Sequence, residues 1–369
     1  MTLKQTLVVT LVALGLSAGH SALSAERWIN PLVKQLAMDK RGPFVKLSDG
    51  SLMIVERNST MTTNDDGKSW SKPRRIYDRA DVTAEGPGIP SNSAMLLKTR
   101  SGVLILVWMD KRFLNWDETA REPGEGAFGY FWAIRSLDEG KTWVDRQMIL
   151  NGIGGHQSRD ILQTRGGRIV VPVQFYLRKP GRNAVATYSS DDDGKTWKSS
   201  NIIDLGGNGH HDGAFEPVLE ELKDGRLWML IRTSWDRFWE AYSEDEGLSW
   251  RVIQPSKIEA SSSPGYITRL ASGRLALVWN RLYPEGQNTF PRRSGQYSVA
   301  EASWHREELS IAFSDDEGKT WSKPVVLARE KNAWLAYPYV FERVPGLLWI
   351  TTGQGNLRLS AREADVLAK

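Results

Sequence analysis

The sequence predicts an all-β fold, a six-bladed propeller of four-stranded antiparallel blades, and two interleaved repeats predict it. The first is an eight-residue pattern, S/T-x-D-x-G-x-S/T-W, present five times at Thr63–Trp70, Ser136–Trp143, Ser190–Trp197, Ser243–Trp250 and Ser314–Trp321. The second is a glycine leading an apolar run, present six times at Gly50–Val55, Gly102–Val107, Gly167–Pro172, Gly225–Leu230, Gly273–Val278 and Gly346–Ile350. Repeats of this length built from short strands point to propeller blades.

Each part of the unit has a physical reason. In the turn motif the Asp side chain accepts hydrogen bonds from turn amides, Gly takes a backbone conformation closed to other residues, and Trp packs beneath. The glycine-led run is a strand, and the sixth unit carries that strand without a turn motif of its own. The turns are expected on the outer rim, as scaffold. Sixteen tryptophans is a high count for 369 residues, and five of them belong to the turns.

Residues 1–25 read as a secretory signal. Lys4 precedes the apolar run Leu7–Leu16, too short to span a bilayer, and small residues ending at Ser24 and Ala25 offer a cleavage site. The mature chain is then expected to start near Glu26 and to be periplasmic or secreted. Repeats running from about Arg41 to Gly353 with no Ser/Pro-rich linker make residues 26–369 one closed ring. The chain has no cysteine, which an oxidising compartment permits in a domain with a large core.

A net charge of +4 with scattered Lys and Arg gives no support to nucleic-acid binding. Four histidines outside the leader, without ligand-like spacing or thiols, give none to a metal site, and no cofactor is expected.

The inner strand of each blade lines the central channel, so equivalent positions can be compared across blades. Nine residues before each strand glycine stand Arg41, Ser93, Ser158, Glu216, Pro264 and Tyr337; seven after it stand Arg57, Met109, Gln174, Arg232, Asn280 and Gly353. Polar and ionisable groups recurring at inner positions point to a site, because packed strand positions should be apolar. Converging arginines need partners, and an anionic ligand would supply one.

These residues resemble the sialidase (neuraminidase) family, whose blades carry the same turns, known as Asp boxes or bacterial neuraminidase repeats. The family's Arg-Ile-Pro strand is matched by Arg41-Gly42-Pro43, and its Glu before a Leu-x-Asp-Gly strand by Glu216, ahead of Leu222-Lys223-Asp224-Gly225 and Arg232. Arg306-Glu307-Glu308-Leu309 matches the stretch holding the third arginine, and Ala336-Tyr337-Pro338 the strand holding the tyrosine nucleophile. The resemblance implies an exo-acting, retaining glycoside hydrolase for an acidic glycan. Arg41, Arg232 and Arg306 would clamp the sugar carboxylate, joined by Arg57 as a further inner-strand cation, while Glu216 would take the proton of Tyr337.

One part of the family pattern is missing. The loop that should carry an Asp acid/base is cut to Arg57-Asn58-Ser59-Thr60-Met61-Thr62, with no acidic residue. Candidate substitutes are Asp110, in the insert Asp110–Glu118, and the glycine-rich loops carrying His156 and His210-His211-Asp212, with His211 and Asp212 also expected to contact substrate. The aromatics Trp116, Phe128, Tyr130, Phe131 and Trp132 read as packing between blades, with a sugar-stacking wall as the alternative. Two other functions stay open: a propeller lyase or glycosidase acting on another acidic sugar through a histidine, and a non-catalytic glycan binder.

Overall fold

The computed structural model describes residues 26–77, 94–156, 158–294 and 299–368. The expected leader, residues 1–25, and Ser93 lie outside the described residues. Six antiparallel sheets follow one another along the chain as the blades of a propeller. Blade 1 comprises Val45–Lys46, Leu52–Glu56, Ser59–Thr63 and Arg74–Arg75, and blade 2 comprises Met95–Lys98, Leu104–Phe113, Phe128–Ser136 and Val144–Leu150. Blade 3 is built on Ile169–Leu177, with Leu162–Gln163 and Gly154–His156 both paired to its inner side and Arg182–Ser190 and Lys198–Ser199 outside. Blade 4 comprises Phe215–Glu221, Leu227–Arg232, Arg237–Ser243 and Val252–Glu259.

The last two blades are completed from the chain's beginning. Blade 5 (Tyr266–Arg269, Leu275–Trp279, Glu308–Ser314, Val325–Arg329) gains Trp28–Ile29 as a fifth strand. Blade 6 (Pro338–Val344, Leu347–Thr352, Arg358–Arg362) takes its fourth strand from Val33–Gln35. This explains why the sixth unit lacks a turn motif. In blades 1–5 the motif joins the third strand to the fourth, and in blade 6 those two strands are not consecutive in the chain.

Second strands show why the glycine-led runs are apolar throughout rather than alternating. Leu227, Met229 and Ile231 join a buried cluster with Val170 and Val185 of blade 3, whereas Trp228 and Leu230 join one with Leu275 and Leu277 of blade 5. Each second strand is covered by a neighbour on both faces, so both side-chain sets must be apolar. Blade 2 repeats the pattern, with Leu104, Leu106 and Trp108 facing blade 1 and Ile105, Val107 and Met109 facing blade 3.

The five turns are one structure. In the third, the Ser190 hydroxyl donates to Asp192 Oδ1 (2.8 Å) and accepts from the Gly194 amide (2.8 Å), while Thr196 donates its amide (2.9 Å) and hydroxyl (2.7 Å) to the same carboxylate. Gly140, at φ 81°, shows a second reason for glycine: a Cβ there would stand 2.7 Å from Met53 of the preceding blade. Trp250 is buried and donates its indole N–H to Thr187 Oγ1 at 2.9 Å. The turns therefore weld each blade internally and seat it on its neighbour.

These bonds make stability depend on acid pH. The carboxyls of Asp65 and Asp316 are held at about 2 by hydroxyl and amide bonds from Ser69 and Thr320; at Asp192 burial pushes upward, and the bonds from Thr196 outweigh it to reach about 2. A depressed folded-state pKa contributes stability above the unfolded value, and that contribution is lost as pH falls through the folded value. The melting temperature should therefore fall between about pH 4 and pH 2. A variant with Asn at all three positions should respond less steeply in calorimetry, and an equally steep response would contradict the assignment.

Candidate active site

The candidate residues are delivered by the starts of inner strands and the ends of second strands. Glu216 sits where blade 4's first strand slips register: Phe215 pairs with Arg232, but Val218 pairs with Leu230. The extra residue forms a bulge, Glu216 takes a left-handed φ of 48°, and its amide donates to Gln174 Oε1 of blade 3 at 3.0 Å. Tyr337 also has a left-handed φ, 62°, just before blade 6's first strand. Its carbonyl accepts the Gly353 amide at 2.9 Å, and a Cβ on Gly353 would lie 3.0 Å from Tyr337 Cβ and 3.1 Å from Arg41 Nη1. A larger residue there would crowd both groups.

Glu216, Arg232 and Arg306 are almost wholly buried, at 3%, 1% and 2% exposure. Arg232 Nη1 lies 2.5 Å from Glu216 Oε2 and 3.4 Å from the Tyr337 hydroxyl. Both arginines donate to the Ser262 carbonyl, at 2.8 Å and 2.7 Å, so their guanidinium groups are held side by side. Arg306 also donates to Gln354 Oε1 at 2.9 Å. Aromatic faces complete the enclosure: Arg232 lies 4.3 Å from the Phe215 centroid, and Arg306 lies 4.7 Å from Trp334, 5.0 Å from Trp304 and 5.6 Å from Tyr337.

The electrostatics follow from this crowding. Burial pushes the Glu216 carboxyl up, but Arg232, with His156 and Arg159, pulls it well below the usual range, so it stays ionised. Burial and the neighbouring Arg232 lower Arg306 to about 10. Burial, then the Glu216 carboxylate, raise the Tyr337 phenol against the opposing pull of Arg232 and Arg306. Arg41 is lowered by burial and by Arg159; the two arginines, with Tyr337 and Gly353, line a cavity of ≈ 30 Å³.

The other expected residues divide. His156 places Nδ1 3.3 Å from Glu216 Oε1 and its ring 5.8 Å from Tyr337. His210 and His211 face one another with their Nδ1 atoms 2.7 Å apart, under Trp116, Tyr176, Phe215 and Trp304. Asp212 is buried, and its carboxylate accepts the amides of Asn208 (2.9 Å) and Gly213 (3.0 Å), which makes it the clasp of its own loop. Asp110 is buried within blade 2's second strand opposite Tyr130. Arg57 is exposed in the hairpin turn between blade 1's second and third strands. Of the aromatics read as packing, Phe131 and Trp132 do lie in the core, while Trp116 covers His210.

Arg159 was missed by residue counting. Its guanidinium lies 5.1 Å from the Tyr337 ring centroid and donates to the Pro338 carbonyl at 2.9 Å. The count fell one residue short, on Ser158, whose hydroxyl bonds the Asp160 and Pro172 carbonyls instead.

A propeller with polar inner-strand ends around a buried arginine pair defines the class. The chain belongs to the family described as BNR repeat-like domain, whose profile matches residues 53–350, within the sialidase superfamily of propellers. It is 20% identical over 228 residues to the sialidase of Vibrio cholerae serotype O1, a match covering 57% of this chain and 28% of that one. Among solved structures it superimposes on a protein of unknown function from Dyadobacter fermentans (TM-score 0.59, 17% identity, 90% of this chain and 98% of that one). The intramolecular trans-sialidase of Ruminococcus gnavus matches with TM-score 0.55 and 13% identity over 90% and 96% of the two chains. At these identities the structural likeness is one of fold.

The Glu216–Arg232 pair predicts its own fragility. Replacing Glu216 by Ala leaves two adjacent buried guanidinium groups without their carboxylate and should cost about 3–5 kcal/mol of folding stability. Chemical denaturation measures this, and a loss below about 1 kcal/mol would show that solvent already screens the pair.

Proposed function

We propose that this protein is an exo-acting glycoside hydrolase of sialidase type that releases a terminal acidic sugar with retention. The observation that carries this reading is the Tyr337 hydroxyl 3.4 Å from Arg232, the same guanidinium that pairs with the Glu216 carboxylate. Arg232 and Arg306, with Arg41 lining a cavity shared with Tyr337, form the clamp for the substrate carboxylate. A carboxylate nucleophile would be repelled by a sugar carrying its own carboxylate beside the anomeric carbon. A tyrosine is not, provided a base takes its proton.

Glu216 is a weak base while Arg232 holds it ionised. Substrate binding changes that balance, because a carboxylate neutralising the arginine pair loosens their hold on Glu216 and raises its affinity for the tyrosine proton. The clamp thus couples recognition to activation. The substrate is an acidic glycan, and a signal at residues 1–25 would send the mature domain, residues 26–369, to the periplasm or outside the cell.

A second reading is favoured by His156 lying against both Glu216 and Tyr337: elimination or hydrolysis at a uronic acid by histidine acid–base chemistry. Turnover of a fluorogenic α-sialoside tests the first reading, and an acidic polysaccharide panel, assayed for unsaturated uronate, tests the second. Tyr337→Phe should lower sialoside turnover by roughly 10³-fold or more while substrate affinity, measured calorimetrically, changes little. Full activity in that variant would exclude the tyrosine nucleophile.

A further inference from the structure

Breaking a glycosidic bond to a sugar alcohol requires a proton on the departing oxygen, a contribution worth roughly 10²–10⁴-fold in rate. The hairpin at Arg57–Thr62 holds no carboxylic acid to supply it. A replacement must border the nucleophile, carry a proton near neutrality and face the opening through which the rest of the glycan leaves.

The candidates fail or pass on these points in turn. Asp212 spends its carboxylate on the amides of its own loop, and Asp110 lies buried within a strand of blade 2. His210 and His211 are enclosed by aromatic rings and bonded to each other; burial lowers them to about 4 and about 2, so neither is protonated at neutral pH. His156 differs. It ends the short strand Gly154–His156, keeps 34% of its side chain exposed, and borders Glu216 at 3.3 Å and the Tyr337 ring at 5.8 Å.

We infer that His156 is the general acid and base of the reaction, a catalytic residue standing in for the missing aspartate. This role rests on Tyr337 acting as the nucleophile. In the first step Tyr337 Oη bonds to the anomeric carbon and passes its proton to Glu216. The glycosidic C–O bond breaks with its electron pair remaining on oxygen, which takes the proton of the His156 imidazolium and leaves as a neutral alcohol. In the second step neutral His156 removes a proton from water as that water attacks the anomeric carbon. The C–O bond to Tyr337 breaks, and the phenolate recovers its proton from Glu216. The carboxylate of Glu216 attracts the imidazolium, so one anion serves both partners.

Leaving-group dependence tests this. Two α-sialosides are compared, one releasing lactose and one releasing an acidic phenol that departs without protonation. In His156→Asn, kcat/KM for the lactoside should fall roughly 10²–10⁴-fold and for the aryl sialoside about tenfold or less. Retained aryl turnover also shows that the variant folds. The alkaline limb of the pH profile should disappear, and a burst of phenol should precede slow steady-state turnover, because the second step has lost its base. An equal fall on both substrates would overturn the assignment and leave His156 as a positioning group for Glu216; no fall on either would overturn it outright. If the wild-type chain cleaves neither substrate, the hydrolase reading itself is wrong, and the role assigned to His156 goes with it.

Discussion

Closure of the ring is the constraint on which the site depends. Val33–Gln35 pairs with Arg358–Arg362 and completes blade 6. The chain then runs directly through Asp39 and Lys40 into Arg41, at the junction of blades 6 and 1. The Thr351 hydroxyl of blade 6 donates to the Arg41 carbonyl at 2.5 Å, and Arg358 donates to the Asp39 carbonyl. Lys40 bonds Glu56 of blade 1 at 2.9 Å. The strand that shuts the ring thus also sets Arg41 in the cavity it shares with Tyr337, so the closure and the geometry of the proposed clamp form one structural event.

The second organising feature is an imbalance of charge along the axis. Arg232, Arg159 and His156 lie around the ionised Glu216, Arg306 stands beside Arg232, and Arg41 beside Arg159. Burial raises Asp160 and Glu220 to about 7 each, so near neutral pH their negative charge is only partial. A channel with surplus positive charge and low-dielectric aromatic walls attracts anions, and a bound carboxylate would relieve the repulsion between Arg232 and Arg306. Under the proposed function, recognition would be driven by electrostatic relief, with the aromatic rings supplying shape.

Much of this was legible in the sequence because the propeller is a repeat, and a repeat converts alignment within one chain into geometry. Counting from the strand glycines reached Arg41, Glu216, Tyr337 and Arg232; the fold sets Glu216, Arg232 and Tyr337 together and Arg41 in a cavity with Tyr337. The count failed where a blade departs from the average. Blade 1's second strand ends at Glu56, so the seventh residue, Arg57, falls in the hairpin turn instead of on the strand, whereas the strands carrying Met109, Gln174 and Arg232 reach that far. In blade 3 the Ser158 hydroxyl folds back on its own backbone, and the next residue, Arg159, takes the place against Tyr337. The missing sixth turn was readable as an absence, and its cause, a strand borrowed from the other end of the chain, required three dimensions.

Both Glu216 and Tyr337 occupy left-handed backbone conformations that side chains other than glycine rarely adopt. Each such residue costs about 1–3 kcal/mol and persists only where the surroundings over-determine it. The surroundings do so here: the Glu216 amide is held by Gln174 of the neighbouring blade, and Tyr337 is fixed by Gly353, Arg159 and Arg306. The propeller itself does not require that strain at these positions, since Arg41, Ser158 and Pro264, at the equivalent places in blades 1, 3 and 5, are not left-handed. Its location at the proposed nucleophile and its proposed base, on two different blades, is what a rigid ring makes possible. Stability accumulated around the circumference holds two side chains in an orientation that neither strand would choose alone.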